Sequence, residues 1–283
     1  MKIENIAVVG AGVMGLGITQ VIAQSGFKVS LFSRRGARGL ERLHERLKRA
    51  VVQGILTNEQ VDLTLSRIRC TSSIKEAVEE ADLVIETVSE DLDLKRALFR
   101  EIENYCPENA MLASNTSSLS IYKIALVTNR PDKVIGMHFF NPASAMRLVE
   151  VVKTSLTSQA TVGSIVSFSK KIGKTPLIVK DTPGFIVNRC LMPIINEAAY
   201  LLMDKTATAE TIDSAIKLGA NHPMGPLALA DLIGIDICLQ AMREIKTGLG
   251  NGNLHICPLL ETMVAEGKLG RKTGRGFYSY KTR

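Results

Sequence analysis

The run Asn5-Ile6-Ala7-Val8-Val9 passes directly into Gly10-Ala11-Gly12-Val13-Met14-Gly15, and no other feature of the chain restricts its fold as much. A short apolar, β-branched run reads as a buried strand. Glycines at this spacing, after a strand and before a helix, form the turn of a dinucleotide-binding βαβ unit. The helix begins at Leu16, stops at Gly26, and a second strand, Lys28–Phe32, comes next. On this pattern Gly10 permits the tight turn, Gly12 lets the backbone approach a pyrophosphate, and Gly15 lets helix and strand pack closely. Val13 and Met14 lie where helix N-terminal amides face the phosphates. The plainer reading is a glycine turn in an ordinary α/β domain.

The alternation continues. Candidate strands at 67–72, 82–88, 110–116, 133–140, 148–152 and 175–181 are separated by helical stretches, which predicts a mostly parallel sheet with helices on both faces. Residues 34–66 interrupt this order. Leu40, Leu43, Leu47, Ala50 and Val51 recur at helical spacing, Gly54 is a stop signal, and Thr57-Asn58-Glu59 caps a second helix through Val61 and Leu65. A βαβ unit does not need such a helical hairpin, so it points to a ligand. At Asp181-Thr182-Pro183-Gly184 the chemistry is that of a turn, and the chain beyond it reads as helical, over 185–204, 208–218 and 226–246. The expected fold class is therefore α/β: a Rossmann-type dinucleotide-binding domain over 1–182, followed by a smaller all-α domain over 183–283.

Composition narrows the function. Five cysteines and four histidines are scattered without metal-ligand or CxxC spacing, which argues against a zinc site or a disulfide framework and suits a reducing cytoplasm. No secretory signal and no apolar run of about 18 residues is visible, so no membrane association is expected. The formal charge of +7 favours anionic partners. Aromatic residues are not interleaved with the basic ones, so nucleic acid is not the expected partner. Anionic small molecules remain.

Ser117, His138, Glu150 and Asn188 form a candidate chemical set. Ser117 follows the fifth strand, and His138 lies near the end of the sixth; carboxyl ends of parallel strands are where open α/β sheets bind ligands. Glu150 falls on the next strand, from which its carboxylate could orient the imidazole. Asn188 comes just after the interdomain turn. His138 taken alone could equally be a core histidine.

These residues sit in segments that carry a family resemblance: "IAVVGAGVMGLGI", "ASNTSSLSI", "RPDKVIGMHFFNPA", "RLVEVVKT", "DTPGFIVNR", "IDSAIKLGANHPMGPLALAD" and "LGRKTGRGFYSY". Across essentially its whole length the chain resembles the 3-hydroxyacyl-CoA dehydrogenases, and within them the short bacterial 3-hydroxybutyryl-CoA enzymes. The resemblance implies hydride transfer between a nicotinamide cofactor and C3 of a short 3-keto/3-hydroxyacyl-CoA. It implies His138 as general acid/base, Glu150 as its electrostatic partner, and Ser117, Asn188 and Asn141 toward the acyl group. It puts Glu90, Lys95, Asn115 and Lys272 near the dinucleotide and Lys48 of the insert on coenzyme A. It also implies a homodimer formed through the helical domain. Arg34, Arg35, Arg38, Arg42, Arg46, Lys48 and Arg49 make the insert a cationic dock for the CoA phosphates, with a solvated helix face as the plainer reading. Two other readings of the chain are a β-hydroxyacid dehydrogenase acting on a free acid and a catalytically inactive dinucleotide sensor. The first relies on a catalytic lysine not offered here, and the second fits poorly with a retained catalytic set.

One position departs from the family. Most relatives end the second strand with an aspartate that accepts hydrogen bonds from the adenosine ribose and selects NAD. Here Ser33 stands there, followed by Arg34 and Arg35. A carboxylate about 4 Å from a 2′-phosphate would cost on the order of 4 kcal/mol at an effective dielectric near 20. Serine removes that repulsion, and guanidinium groups suit phosphate oxygens. The expectation is NADP(H), with NAD(H) as the alternative if the arginines serve only coenzyme A.

Overall fold

The structure is a computed structural model and describes residues 2–36, 38–250 and 254–280. The chain divides into two compact units, Met1–Asp181 and Thr182–Arg283.

The first unit is built on eight strands: β1 (Asn5–Val9), β2 (Lys28–Phe32), β3 (Ile68–Thr71), β4 (Leu83–Glu86), β5 (Met111–Ser114), β6 (Val134–Phe139), β7 (Leu148–Lys153) and β8 (Thr175–Lys180). Each falls in a stretch whose apolar, β-branched pattern predicts it. Their order in the sheet is β3-β2-β1-β4-β5-β6-β7-β8. All pairs are parallel except β6 with β7. The chain leaves β1 toward β2 on one side and returns to β4 on the other, so the strand order reverses between β1 and β4. Crevices at such reversals, beyond the carboxyl ends of the strands, bind ligands. Strands such as "LVIE" are buried along their whole length because helices cover both faces.

The helices of this unit are α1 (Val13–Gln24), α2 (Arg38–Val52), α3 (Asn58–Leu65), α4 (Ile74–Val78), α5 (Leu92–Glu103), α6 (Ile121–Ala125) and α7 (Gln159–Lys171). The helical hairpin expected between β2 and β3 is α2 and α3. Leu43 and Leu47 of α2 are fully buried and join the core of the sheet domain. Gly54, at φ 69°, ends the first arm. Thr57 caps the second: its hydroxyl accepts from Gln60 N, while the Gln60 side chain accepts from Thr57 N.

The second unit is helical: α8 (Val187–Met203), α9 (Ala209–Gly219), α10 (Pro226–Ile233), α11 (Ile235–Gly248) and α12 (Pro258–Ala265). The single helix expected over 226–246 is two helices. Gly234 takes φ 110°, outside the right-handed helical region, and separates α10 from α11. Apolar periodicity runs on through the break, which is why the sequence reads as one helix. Most of "PLALADLIGIDICLQAM" packs inside this unit: Leu227, Ala230, Ile235, Cys238 and Met242 are fully buried. Two buried aspartates tie down the C-terminal segment. Asp213 accepts from Leu227 N, Ala228 N and Tyr278 Oη. Asp231 accepts from Phe277 N, Tyr278 N and Tyr280 Oη.

Candidate active site

The glycine turn has the packing that a dinucleotide cradle requires. Gly10 adopts φ 118°, and a Cβ on Gly15 would lie 1.9 Å from the Gly10 carbonyl oxygen, so α1 can approach β1 this closely only with glycine there. A Cβ on Gly12 would meet nothing within 4 Å, leaving open space above the turn. Gly12 is the N-cap of α1 and supplies no side-chain acceptor, so the amides of the first turn are not spent on a cap. These features fit a bound dinucleotide pyrophosphate.

Ser33 is buried at the end of β2, and its Oγ accepts from Arg35 N at 3.2 Å. The hydroxyl proton can still be donated. Arg34 and Arg35 are exposed. A Cβ on Gly39 would come within 3.1 Å of both Ser33 Oγ and Ala11 Cβ, so the first turn of α2 lies against the glycine turn and Ser33.

His138 and Glu150 are directly opposed across the antiparallel β6–β7 pair. The imidazole Nδ1 lies 2.7 Å from Glu150 Oε2, and both side chains are buried. An ionised carboxylate only accepts, so with Glu150 charged the contact requires a proton on Nδ1 and leaves Nε2 as the ring nitrogen not engaged by Glu150. The ring also packs against Phe140, with centroids 4.4 Å apart. Asn115 Oδ1 accepts from Phe139 N at 2.9 Å, which ties the end of β5 to the end of β6.

Ser117 sits in the loop after β5, and Glu90 organises that loop. Glu90 Oε1 accepts from Thr116 Oγ1 at 2.5 Å, Ser117 N at 2.8 Å, Ser118 Oγ at 3.1 Å and Ser117 Oγ at 3.3 Å. Burial pushes the Glu90 carboxyl upward, but Lys95 and these hydrogen bonds outweigh it and hold it below the usual carboxylate range. Lys95 is only 1% exposed, with its ammonium 2.7 Å from Glu86 Oε1 and 3.4 Å from Glu90 Oε2. Lys95, which the resemblance puts near the dinucleotide, is thus enclosed between two carboxylates. Glu86 is absent from the candidate set because it terminates an apolar strand and reads as its solvent end. A carboxylate directly after the apolar run "LVI" is the signal that could have found it.

The basic insert also has a definite geometry. A cavity of about 810 Å³ lies between α1, α2 and the loop after β6, lined by Gln20, Arg42, Arg46, Arg49 and Ser144 among others. Arg46 donates to Ser144 Oγ at 3.1 Å. Gln20 is 6% exposed and its Oε1 has no partner among the described residues. Lys48 is exposed and does not line this cavity; helical spacing puts Arg42, Arg46 and Arg49 on one face and Lys48 off it. Asn141 opens the exposed loop after β6. Asn188 and Lys272 belong to the second unit, Asn188 in the first turn of α8 and Lys272 paired with Asp236 at 2.5 Å. Among the described residues no cluster of histidine, cysteine, aspartate and glutamate could hold a metal ion, and no helix is long and apolar enough to cross a membrane.

Comparison with known proteins agrees with this geometry. The family model "3-hydroxyacyl-CoA dehydrogenase, NAD binding domain" matches residues 5–182, and "3-hydroxyacyl-CoA dehydrogenase, C-terminal domain" matches 184–280. A probable 3-hydroxybutyryl-CoA dehydrogenase of Bacillus subtilis is 47% identical over 283 residues, covering 99% of this chain and 98% of that protein. A 3-hydroxybutyryl-CoA dehydrogenase of Clostridioides difficile is 46% identical, covering 98% and 99%. The crystal structure of (S)-3-hydroxybutyryl-CoA dehydrogenase from Ralstonia eutropha superposes with a TM-score of 0.93 at 42% identity, covering 99% of this chain and all of that one. With its glycine turn, its opposed histidine and glutamate, and both domain signatures, the chain belongs to the 3-hydroxyacyl-CoA dehydrogenase family.

Proposed function

We propose that the chain interconverts acetoacetyl-CoA and 3-hydroxybutyryl-CoA, with His138 as the general acid/base. The observation that carries this reading is the His138–Glu150 pair, buried at the ligand end of the sheet. Reduction of a 3-ketone develops negative charge on its oxygen. His138, charged and turned by Glu150, gives that oxygen a proton from Nε2 and takes it back in the oxidising direction. Ser117 hydrogen-bonds the same oxygen as charge develops, and Asn188 and Asn141 are assigned to the acyl group. The nicotinamide supplies the hydride chemistry when the dinucleotide is bound; Gly10, Gly12, Val13, Met14 and Gly15 would hold the dinucleotide's pyrophosphate, with Asn115, Glu90, Lys95 and Lys272 assigned to the rest of it. The test is consumption of reduced nicotinamide with acetoacetyl-CoA against free acetoacetate. Turnover of the thioester alone is expected, and turnover of the free acid would favour a β-hydroxyacid dehydrogenase.

The same reading extends to both anionic ligands. Ser33, Arg34 and Arg35 favour NADP(H), supported by a buried serine beside exposed guanidiniums where a carboxylate would repel a 2′-phosphate. A higher kcat/KM for NADPH than for NADH is expected, and Ser33→Asp should move the ratio toward NADH; a wild-type preference for NADH would reject the assignment. Coenzyme A is assigned to the cavity beneath α2, where Arg42, Arg46 and Arg49 offer charge that Lys48 does not. Arg46→Ala should raise KM for the CoA substrate more than Lys48→Ala does. Ile186, Ile194, Leu232 and Ile237 are exposed apolar side chains of the helical unit and support a homodimer through it. Five free cysteines support a cytoplasmic site of action.

A further inference from the structure

Five residues around the carboxyl ends of β4 and β5, one of them Lys95 of α5, close a ring of polar contacts that passes through one main-chain amide. Glu86 Oε2 accepts from Ser114 Oγ at 2.6 Å, and Ser114 Oγ accepts from Thr116 N at 3.2 Å. Thr116 Oγ1 donates to Glu90 Oε1 at 2.5 Å. Glu90 Oε2 faces Lys95 Nζ at 3.4 Å, and Lys95 Nζ returns to Glu86 Oε1 at 2.7 Å. The ring is anchored in the sheet, because Glu86 and Ser114 are register partners. Val88 N adds a 2.6 Å contact to Glu86 Oε1. Glu86 and Ser114 are fully buried, with no surface to offer substrate or dinucleotide. Thr116 and Glu90, on the other side of the ring, hold the loop that carries Ser117.

We propose that Glu86 is a positioning residue for Ser117, acting through the ring. Two carboxylates share one ammonium. Glu86 takes the closer contact with Lys95, which leaves Glu90 free to keep its other oxygen on Thr116, Ser117 and Ser118. Without the Glu86 charge, Lys95 has Glu90 as its sole carboxylate in the ring. Glu90 is then drawn toward the ammonium and away from the Ser117 amide and hydroxyl. The cost of leaving a buried ammonium poorly paired drives that movement. An active-site hydroxyl displaced by a fraction of an ångström loses its alignment with the reacting oxygen. Glu86 therefore matters to turnover although it is sealed from both ligands.

This inference rests on the assignment of Ser117 to the 3-oxygen, and the test separates the two. Turnover with acetoacetyl-CoA is measured for wild type, Ser117→Ala, Glu86→Gln and the double variant, together with the dissociation constant of the reduced dinucleotide. Glu86→Gln should lower kcat on the order of 10-fold, a misplacement effect, with any weakening of the dinucleotide, to which Glu90 is also assigned, clearly smaller than the loss in kcat. The double variant should be little worse than Ser117→Ala, because both substitutions remove the same interaction. If Ser117→Ala turns over normally, the assignment of Ser117 falls, and this inference with it. If Ser117→Ala is impaired but Glu86→Gln is normal, or the two losses multiply, only the inference falls. It also falls if Glu86→Gln weakens dinucleotide binding in step with kcat. Should Glu86→Gln fail to fold, Ser114→Ala opens the ring at a neutral link. It should lower kcat by roughly 3-fold without additivity with Ser117→Ala, and full additivity would overturn the proposal.

Discussion

Both units bury carboxylates, but they satisfy them differently. In the first unit Glu86 and Glu90 are held largely by side chains, a lysine and four hydroxyl-bearing residues, in and around the loop that presents Ser117. In the second, Asp213 and Asp231 are held by backbone amides and tyrosine hydroxyls, with glycines leaving them room. A Cβ on Gly276 would fall 1.9 Å from Asp231 Oδ1, and one on Gly225 would fall 2.2 Å from Asp213 Cγ. Neutral, fixed donors staple one piece of chain to another. A cluster of side chains with a shared cation holds the loop of Ser117, to which the proposed function assigns a part in turnover. On this proposal the side-chain cluster of the first unit contributes alignment, and the backbone donors of the second contribute stability.

Substitutions in the second unit can break that contrast. The largest stability effect is expected for Asp231→Ala, which strands Phe277 N, Tyr278 N and Tyr280 Oη. At about 1–3 kcal/mol for each unsatisfied buried group, a loss of roughly 3 kcal/mol or more is expected in urea unfolding. The kcat of the folded fraction should change little, and a large fall in kcat at unchanged stability would erase the distinction. Gly276→Ala should cost about 1–3 kcal/mol, because its methyl group meets the Asp231 carboxylate and the surrounding backbone must shift. Tyr280→Phe removes one hydrogen bond and should cost about 1 kcal/mol.

Tyrosine titration sharpens the same point. Burial, together with the hydrogen bond to Asp231 and its charge, pushes the Tyr280 phenol up to about 12; Tyr278 is raised for the same kind of reason beside Asp213. A folded state that retains protons the unfolded chain has released loses stability as pH rises. The contribution is therefore complete below the ordinary tyrosine value of 10.0 and lost between there and about 12. Thermal unfolding followed across that range should show a steeper alkaline decline for wild type than for Tyr280→Phe. Equal slopes would mean that the phenol does not carry the effect.

Much of this was legible in the sequence, for particular reasons. The strands could be read because both-sided burial leaves almost uninterrupted β-branched runs, and the glycine turn because close packing leaves no alternative at Gly15. The insert helices could be read from leucine spacing and the Thr57 cap. The facing of His138 and Glu150 could only be suspected, since it depends on an antiparallel register that spacing alone does not fix. The phase of α2 was harder still: Lys48 and Arg46 are equally basic in sequence, and only the helix's orientation against α1 separates them. Gly234 was visible, but apolar periodicity on both sides concealed the break. The ring through Glu86 was not legible, because it joins β4, β5 and α5 through side chains far apart in the chain.

The most direct test of the account is the turnover of acetoacetyl-CoA by His138→Gln compared with wild type, under saturating NADPH and with folding verified. Loss of the acid/base should lower kcat by roughly 10²–10⁴-fold, while dinucleotide affinity stays near the wild-type value. A variant that turns over at close to the wild-type rate would contradict the account, because the buried His138–Glu150 pair would then lie outside the reaction.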